Sequence, residues 1–237
     1  MDQKILALSS SRVGNSGYLE QALPLIKDLL GDTRRNLAFI PFASVGNYEK
    51  YYANIKDALN GLLHNVQMVG PENAKTIIDA CDAIIVGGGN TFKLLHDLYE
   101  QNLIDLIRNK VDSGTAYIGW SAGANVLSPS ISTTNDMPVI EPKSFNALGL
   151  FPFQINPHYF DKKQEGFNGE TRDQRLEEFL KINPGIDVVG LPEGTALLKD
   201  QGRLNFIGNE NGYLFQFKNN SFLKKEIIPG ENLSHLL

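Results

Sequence analysis

The chain has 237 residues, 42% of them hydrophobic and 21% charged, which is enough to bury a core without disulfides or metal ions. The formal net charge of −5, with no run of Lys or Arg, argues against nucleic acid or an anionic membrane as a partner. The single cysteine excludes an intramolecular disulfide and a zinc site built from cysteines. No stretch has the length of a membrane span, and the first apolar run is too short for a signal peptide, so we expect a cytoplasmic location.

Short apolar segments that favour strands alternate with amphipathic segments that favour helices over most of the chain. The predicted strands are residues 5–8, 37–41, 66–69, 83–86, 116–119 and 188–191. The predicted helices are residues 18–30, 48–63, 72–80 and 91–110, the last of them broken near residues 101–102. This alternation, with nearly unbroken apolar strands, predicts an α/β fold with a doubly wound, mostly parallel sheet.

The pattern changes after residue 194. Apolar segments at 196–198, 204–207, 213–217 and 222–228 are separated by Gln201-Gly202, Asn211-Gly212 and Asn219-Asn220, which are typical hairpin turns. Residues of about 195–237 are therefore predicted to form antiparallel hairpins appended to the α/β unit. Because no linker or repeat interrupts the sequence, we predict a single domain over residues 1–237.

Three unusual segments follow predicted strands, and a fourth follows the apolar residues 151–155. Ligands of open parallel sheets bind at the carboxyl ends of strands, so we expect these segments to meet at one edge of the sheet. They are Gly87-Gly88-Gly89-Asn90, Gly119-Trp120-Ser121-Ala122-Gly123, Asn156-Pro157-His158-Tyr159 and Pro192-Glu193-Gly194.

The segment around Ser121 has the G-x-S-x-G form of a nucleophile elbow, in which a serine lies on a sharp turn between a strand and a helix. In such a turn the backbone N–H of the next residue, Ala122, can stabilise an oxyanion, and the turn at Gly88 and Gly89 could supply a second donor. The alternative for these glycines is a phosphate-binding loop, but no Gly-Lys-Ser/Thr follows them, and Phe92 occupies the place of the third glycine of a dinucleotide fingerprint.

A serine nucleophile needs a base, and His158 is the histidine that follows a strand at the predicted edge. A third group must orient the imidazole and stabilise its charged form. Glu193, at the end of a strand, and Asp136, in the loop between the serine and the histidine, are both candidates, and the residues themselves hardly separate them.

Together these segments resemble peptidase E, the aspartyl dipeptidase family of serine peptidases. The resemblance covers almost the whole chain and rests on IPFA at 40–43, VGGGNTF at 86–92, YIGWSAGAN at 117–125, TTNDMP at 133–138, QINPH at 154–158, GETR at 169–172 and GLPEG at 190–194. It implies a fold similar to class I glutamine amidotransferases, with Ser121 as nucleophile and His158 as base. For the third member it points to both Asp136 and Glu193, and we favour Glu193.

The resemblance also directs attention to Arg172. Thr171 and Gln174 form a capping-box pattern that opens a helix, which places Arg172 in its first turn. An arginine at a helix start suits a carboxylate, although without the resemblance it would be taken for a surface residue. We expect Arg172 to bind the substrate's aspartyl side chain, with Arg175 as the alternative, and we expect residues 160–169 to form a lid.

The predicted activity is hydrolysis of small peptides that begin with aspartate, through an acyl-enzyme and without a metal or organic cofactor. One alternative is a serine hydrolase of another amide or ester, such as cyanophycin or an isoaspartyl peptide. The other is a catalytically silent sensor that binds aspartyl peptides in the same pocket.

Overall fold

The computed structural model describes residues 2–161, 166 and 168–237. Its strands are β1 (Ile5–Leu8), β2 (Asn36–Ile40), β3 (Asn65–Met68), β4 (Ala83–Val86), β5 (Ala116–Trp120), β6 (Gln154–Pro157), β7 (Val188–Leu191), β8 (Ala196–Asp200), β9 (Arg203–Ile207), β10 (Gly212–Lys218) and β11 (Ser221–Ile227). Its helices are α1 (Leu23–Leu30), α2 (Tyr48–Ala58), α3 (Ala74–Ala80), α4 (Thr91–Glu100), α5 (Ile104–Asp112), α6 (Ala122–Asn125) and α7 (Arg172–Ile182), with a short 3₁₀ turn at Ser234–Leu236.

The larger sheet has seven strands in the order β3-β2-β4-β5-β1-β8-β9. Its first five strands are parallel, and the β8–β9 hairpin extends it in antiparallel fashion beside β1. Strands β1, β4 and β5 are buried along their whole length, as expected for strands covered on both faces. The predicted fold class, an α/β fold with a mostly parallel sheet and antiparallel C-terminal strands, is confirmed.

A second sheet of four strands has the order β11-β10-β7-β6. Strands β6 and β7 are parallel, and β10 pairs with β7 in antiparallel fashion, with Phe215 opposite Val188. The expectation that all four unusual segments follow strands of one sheet is therefore wrong, because β6 and β7 belong to this second sheet. Strand β7 has its predicted bounds, and β6 overlaps the end of the apolar segment 151–155. The pairing of β7 with β10, however, joins residues far apart in the chain and leaves no local signal.

Helices α1 to α5 correspond to the four predicted helices, the last of which is divided in two; α1, α2 and α3 are shorter than predicted, and α5 extends to Asp112. Helix α1 begins at Leu23 rather than at residue 18, because Leu19 has a left-handed backbone (φ 57°) and Pro24 suits a first helical turn. The predicted break near residues 101–102 separates α4 from α5, with Asn102 at φ 54°. Across the part of the chain that the structure describes, no helix is long and apolar enough to cross a membrane.

The two sheets meet beside the carboxyl ends of their parallel strands. Buried Ser9, directly after β1, joins them: its Oγ donates to the carbonyl of Leu191 at 2.8 Å and accepts the backbone N–H of His158 at 2.9 Å. The loops after β4 and β5 in one sheet, and after β6 and β7 in the other, are thereby brought into one cleft.

Candidate active site

Ser121 lies on a sharp turn between β5 and α6, with φ 54° and ψ −115°. The two flanking glycines of the motif are required by packing rather than by the turn alone. A Cβ on Gly119 would collide with the carbonyl of Gly123, and a Cβ on Gly123 would collide with the carbonyl of Val86 on the neighbouring strand. The strand, turn and helix that a nucleophile elbow needs are all present.

A continuous chain of hydrogen-bonding groups runs through three of the predicted residues. Nε2 of His158 lies 2.9 Å from Oγ of Ser121, and Nδ1 of His158 lies 3.0 Å from Oε1 of Glu193. With the imidazole proton on Nδ1 donated to Glu193, Nε2 is free to accept the serine proton. The arrangement can therefore remove a proton from Ser121 and stabilise the imidazolium that results.

Asp136 lies elsewhere in the same cleft. Its Oδ2 accepts hydrogen bonds from the backbone N–H and the hydroxyl of Thr91, at 2.7 and 2.6 Å, and from the hydroxyl of Thr134 at 3.3 Å. Within the described part of the chain it makes no hydrogen bond to His158. Of the two candidate carboxylates, the structure brings only Glu193 into contact with the imidazole.

The glycine turn after β4 packs directly against the elbow. A Cβ on Gly88 would lie 2.9 Å from Cβ of Ser121, so only glycine permits this approach, and Gly89 has φ 141° with its Cα facing the carbonyl of Ala43. No backbone carbonyl among the described residues accepts a hydrogen bond from the N–H of Gly88, Gly89 or Ala122. Donors beside the serine thus remain free for a substrate oxygen.

Arg172 begins α7, and the predicted capping box is present: Thr171 Oγ1 accepts the N–H of Gln174, whose Oε1 accepts the N–H of Thr171. A pocket of about 230 Å³ lies between Arg172 and Ser121, with Asp136 also in its lining. Nη1 of Arg172 is buried and has no hydrogen-bond partner among the described residues.

The environment of Arg172 favours an anionic ligand. A buried donor without a partner costs about 1–3 kcal/mol, more when it is charged, and a bound carboxylate would remove that cost. Burial lowers the pKa of the guanidinium, and Arg175 acts in the same direction while Asp136 opposes it. The guanidinium also lies 5.4 Å from the ring centroid of Phe160. Half of the predicted lid over residues 160–169, namely 162–165 and 167, lies outside the described residues.

A wider cleft of about 930 Å³ shares Ser121 and Asp136 with this pocket. Arg12, from the loop after β1, and Lys50, from α2, contribute positive charge to its wall. His158 also lines both spaces, so a substrate bound at the serine has access to the small pocket and to the wide cleft.

Two positioning features were not predicted from the sequence. Ser9 holds the backbone of His158 as described above, and its position after β1 was the only signal. The second is a cluster around Lys224 of β11, whose Nζ lies 2.9 Å from Asp173 and 2.6 Å from Asp161. Asp173 also accepts the hydroxyl proton of Tyr159 at 2.5 Å, which ties the residue after His158 to the residue after Arg172.

The chain is similar to known peptidases over its whole length. The model of a family described as Peptidase family S51 matches residues 5–207. A "Peptidase E" from a Nostoc species is 47% identical, with 100% of this chain and 98% of that protein covered. A "Peptidase E" from Haemophilus influenzae is 49% identical, covering 90% of this chain and 100% of that protein. The crystal structure of a peptidase from an acI-B1 actinobacterium superposes with a TM-score of 0.68 at 19% identity, covering 98% of this chain and 97% of that chain.

Proposed function

The chain belongs to peptidase family S51 and is a serine peptidase, and on that premise we propose that it hydrolyses dipeptides whose first residue is aspartate. The observation that carries the proposal is the chain of contacts Ser121–His158–Glu193 beside a pocket that contains a buried arginine donor without a partner in the described structure. A nucleophile and an anion-binding group share one small space, which suits a substrate with a carboxylate close to its scissile bond.

In the proposed reaction, Ser121 Oγ attacks the carbonyl carbon of the aspartyl residue while Nε2 of His158 takes the hydroxyl proton. The N–H of Ala122 and an N–H of the Gly88–Gly89 turn stabilise the oxyanion of the tetrahedral intermediate. The imidazolium, stabilised by Glu193, then gives its proton to the departing amine as the C–N bond breaks. Water, activated by His158, attacks the acyl-enzyme and releases aspartate.

Recognition of aspartate is assigned to the small pocket. The guanidinium of Arg172 can hold a carboxylate with two parallel charge-assisted hydrogen bonds, and among the described residues that line this space it is the only Lys or Arg. Asp136 supports this role indirectly, because its negative charge favours the charged arginine and its bonds to Thr91 hold it in the pocket wall. An Asn side chain would turn an NH₂ group towards a donor-only arginine.

A modest preference for dipeptides over longer peptides is assigned to the wide cleft. The second residue of a dipeptide carries a free carboxylate, which the charges of Arg12 and Lys50 would attract. Arg12 is steadied by its position over the ring of Tyr18, 5.6 Å from the centroid. In a longer peptide this carboxylate is replaced by a neutral amide, so the attraction is lost.

The proposal is tested by measuring aspartate release from Asp-Leu, Glu-Leu, Asn-Leu and β-aspartyl-leucine with the wild-type protein and Ser121→Ala. We expect Asp-Leu to be the preferred substrate and the variant to retain less than about a thousandth of the wild-type kcat, a loss of more than ~4 kcal/mol of transition-state stabilisation. Preferred cleavage of the β-aspartyl peptide would favour an isoaspartyl hydrolase. Stoichiometric binding of Asp-Leu without release of aspartate would favour a sensor.

A cytoplasmic location remains a prediction from the sequence.

A further inference from the structure

Tyr51 of α2 touches the glycine turn beside the nucleophile. Its hydroxyl donates a hydrogen bond to the carbonyl of Gly88 at 3.0 Å. The same hydroxyl packs on the neighbouring glycine, since a Cβ on Gly87 would collide with it. The ring itself is held edge-on by Phe39, with centroids 5.1 Å apart, and by Tyr18 at 6.5 Å. Tyr51 is therefore a fixed donor aimed at one carbonyl of the turn.

The hydrogen bond that holds the carbonyl of Gly88 also fixes the direction of the N–H of Gly89. The peptide bond is planar, and in its trans form the C=O of Gly88 and the N–H of Gly89 point in opposite directions. Three consecutive glycines leave the backbone free to rotate, so the plane of this peptide is weakly determined by the turn itself. If this peptide flipped, the partly negative carbonyl oxygen of Gly88 would take the place of the N–H of Gly89, on the side away from Tyr51.

The direction of the Gly89 N–H is relevant to the reaction because the Gly88–Gly89 peptide adjoins Ser121. Gly88 packs on Cβ of Ser121, and no backbone carbonyl of the described chain accepts the N–H of Gly89. We propose that Tyr51 is a positioning residue for catalysis, which holds the Gly88–Gly89 peptide so that the Gly89 N–H is available to the oxyanion. This inference rests on the proposed acyl transfer at Ser121 and deepens it.

The chemistry of Tyr51 fits a donor that acts through the backbone. Burial raises the pKa of its phenol, so the hydroxyl stays protonated and donates near neutral pH. Because the hydroxyl acts on the carbonyl of Gly88, its effect on the reaction should arise only when the substrate oxygen becomes negative. The binding of the ground state should be little affected.

The chain offers a matched control on the same helix. Tyr52 donates its hydroxyl to the carbonyl of Val66 at 2.7 Å, a bond of the same kind to the edge strand β3, which is separated from β5 by two strands. We expect Tyr51→Phe to lower kcat for Asp-Leu about 10- to 100-fold with KM within about twofold of wild type, somewhat less than the loss of an entire oxyanion donor. Tyr52→Phe should leave both constants within about twofold, although the two variants lose similar thermal stability.

A second measurement separates this inference from the choice of substrate. A fluorophosphonate reacts with an activated serine and places its own phosphoryl oxygen in the oxyanion site, so the rate of Ser121 phosphonylation needs no aspartyl specificity. We expect Tyr51→Phe, and not Tyr52→Phe, to slow it by about the same factor as kcat. Equal labelling rates in the two variants, or a loss confined to KM, would overturn the positioning role. A wild-type protein that is labelled normally but does not cleave Asp-Leu would contradict the proposed substrate alone.

Discussion

The two halves of the candidate active site are built in different ways. The half on the seven-stranded sheet, with Ser121 and the glycine turn, is positioned by close backbone contacts that exclude any side chain at Gly88, Gly119 and Gly123. The half on the four-stranded sheet, with His158 and Glu193, is positioned by polar bonds and has half-exposed side chains. The proposed nucleophile, Ser121, is thus placed by packing and the proposed base, His158, by hydrogen bonds, so single polar substitutions should disturb the second half more selectively.

The largest loss of kcat is expected on the four-stranded sheet, at the carboxylate that contacts His158. Glu193→Gln should lower kcat by about 10³–10⁴, because an amide favours the imidazole tautomer whose Nε2 cannot accept the serine proton. Asp136→Asn is the comparison, since it keeps an oxygen for the hydrogen bonds from Thr91 and should act mainly on KM. Steady-state kinetics with Asp-Leu distinguish the two, and the opposite ranking would transfer the third role to Asp136.

An effect of intermediate size, on the preference for aspartate over asparagine, is expected at the start of α7. This helix packs on the four-stranded sheet. Arg172→Met should remove most of the preference for Asp-Leu over Asn-Leu, which we expect to be at least tens-fold in kcat/KM because charge-assisted bonds contribute about 1.5–3 kcal/mol. The matched control is Arg175→Met. The side chain of Arg175 is exposed, and its Nε lies 3.8 Å from Oε2 of Glu170. A variant at Arg172 that kept the full preference would place the clamp elsewhere.

The sequence predicted the first half of the site better than the second for a physical reason. Close backbone approaches require glycine, so the elbow and the Gly87-Gly88-Gly89 turn leave a readable pattern. The choice between Glu193 and Asp136 depends on which loop reaches the imidazole, and that is decided by the pairing of β6 with β7 in a second sheet. Such pairing joins distant segments and has no local signature.

The supporting residues could not have been predicted at all. Ser9 makes two hydrogen bonds and Tyr51 one, all of them to backbone groups more than thirty residues away in the chain. A serine after a strand and a tyrosine on a helix are common features with many possible partners. Only the packing of α2 and of the two sheets determines which carbonyl each hydroxyl meets.

A moderate loss of kcat is expected when the hydrogen bonds of Ser9, which join the two sheets, are removed. Ser9→Ala leaves the carbonyl of Leu191 and the N–H of His158 without their buried partner, which should cost about 1–3 kcal/mol of unfolding free energy. We also expect kcat to fall about tenfold, because a displacement of the imidazole by a fraction of an ångström weakens the proton transfer.

Ser128→Ala is the control for that link. Ser128 is equally buried and accepts the N–H of Ile155 on the same strand β6, at 2.8 Å, without touching His158. It should lose comparable stability, measured by urea unfolding, while kcat remains near that of the wild type. If both variants lost activity in proportion to stability, Ser9 would be a structural residue only.

The smallest effect is expected in the wide cleft of the first half, where Arg12 and Lys50 are exposed. Interactions between exposed charges contribute about 0.2–1 kcal/mol, so Asp-Leu should exceed Asp-Leu amide by only a few-fold in kcat/KM. Arg12→Met and Lys50→Met should each reduce this preference, whereas Lys56→Met, further along α2 and stacked on Tyr52, should not. Because salt screens such attractions, the preference should also shrink as the ionic strength rises from about 0.01 to about 0.5 M. A preference for the free carboxylate that persists in high salt and in both variants would mean that a buried donor, not these cations, recognises the second residue.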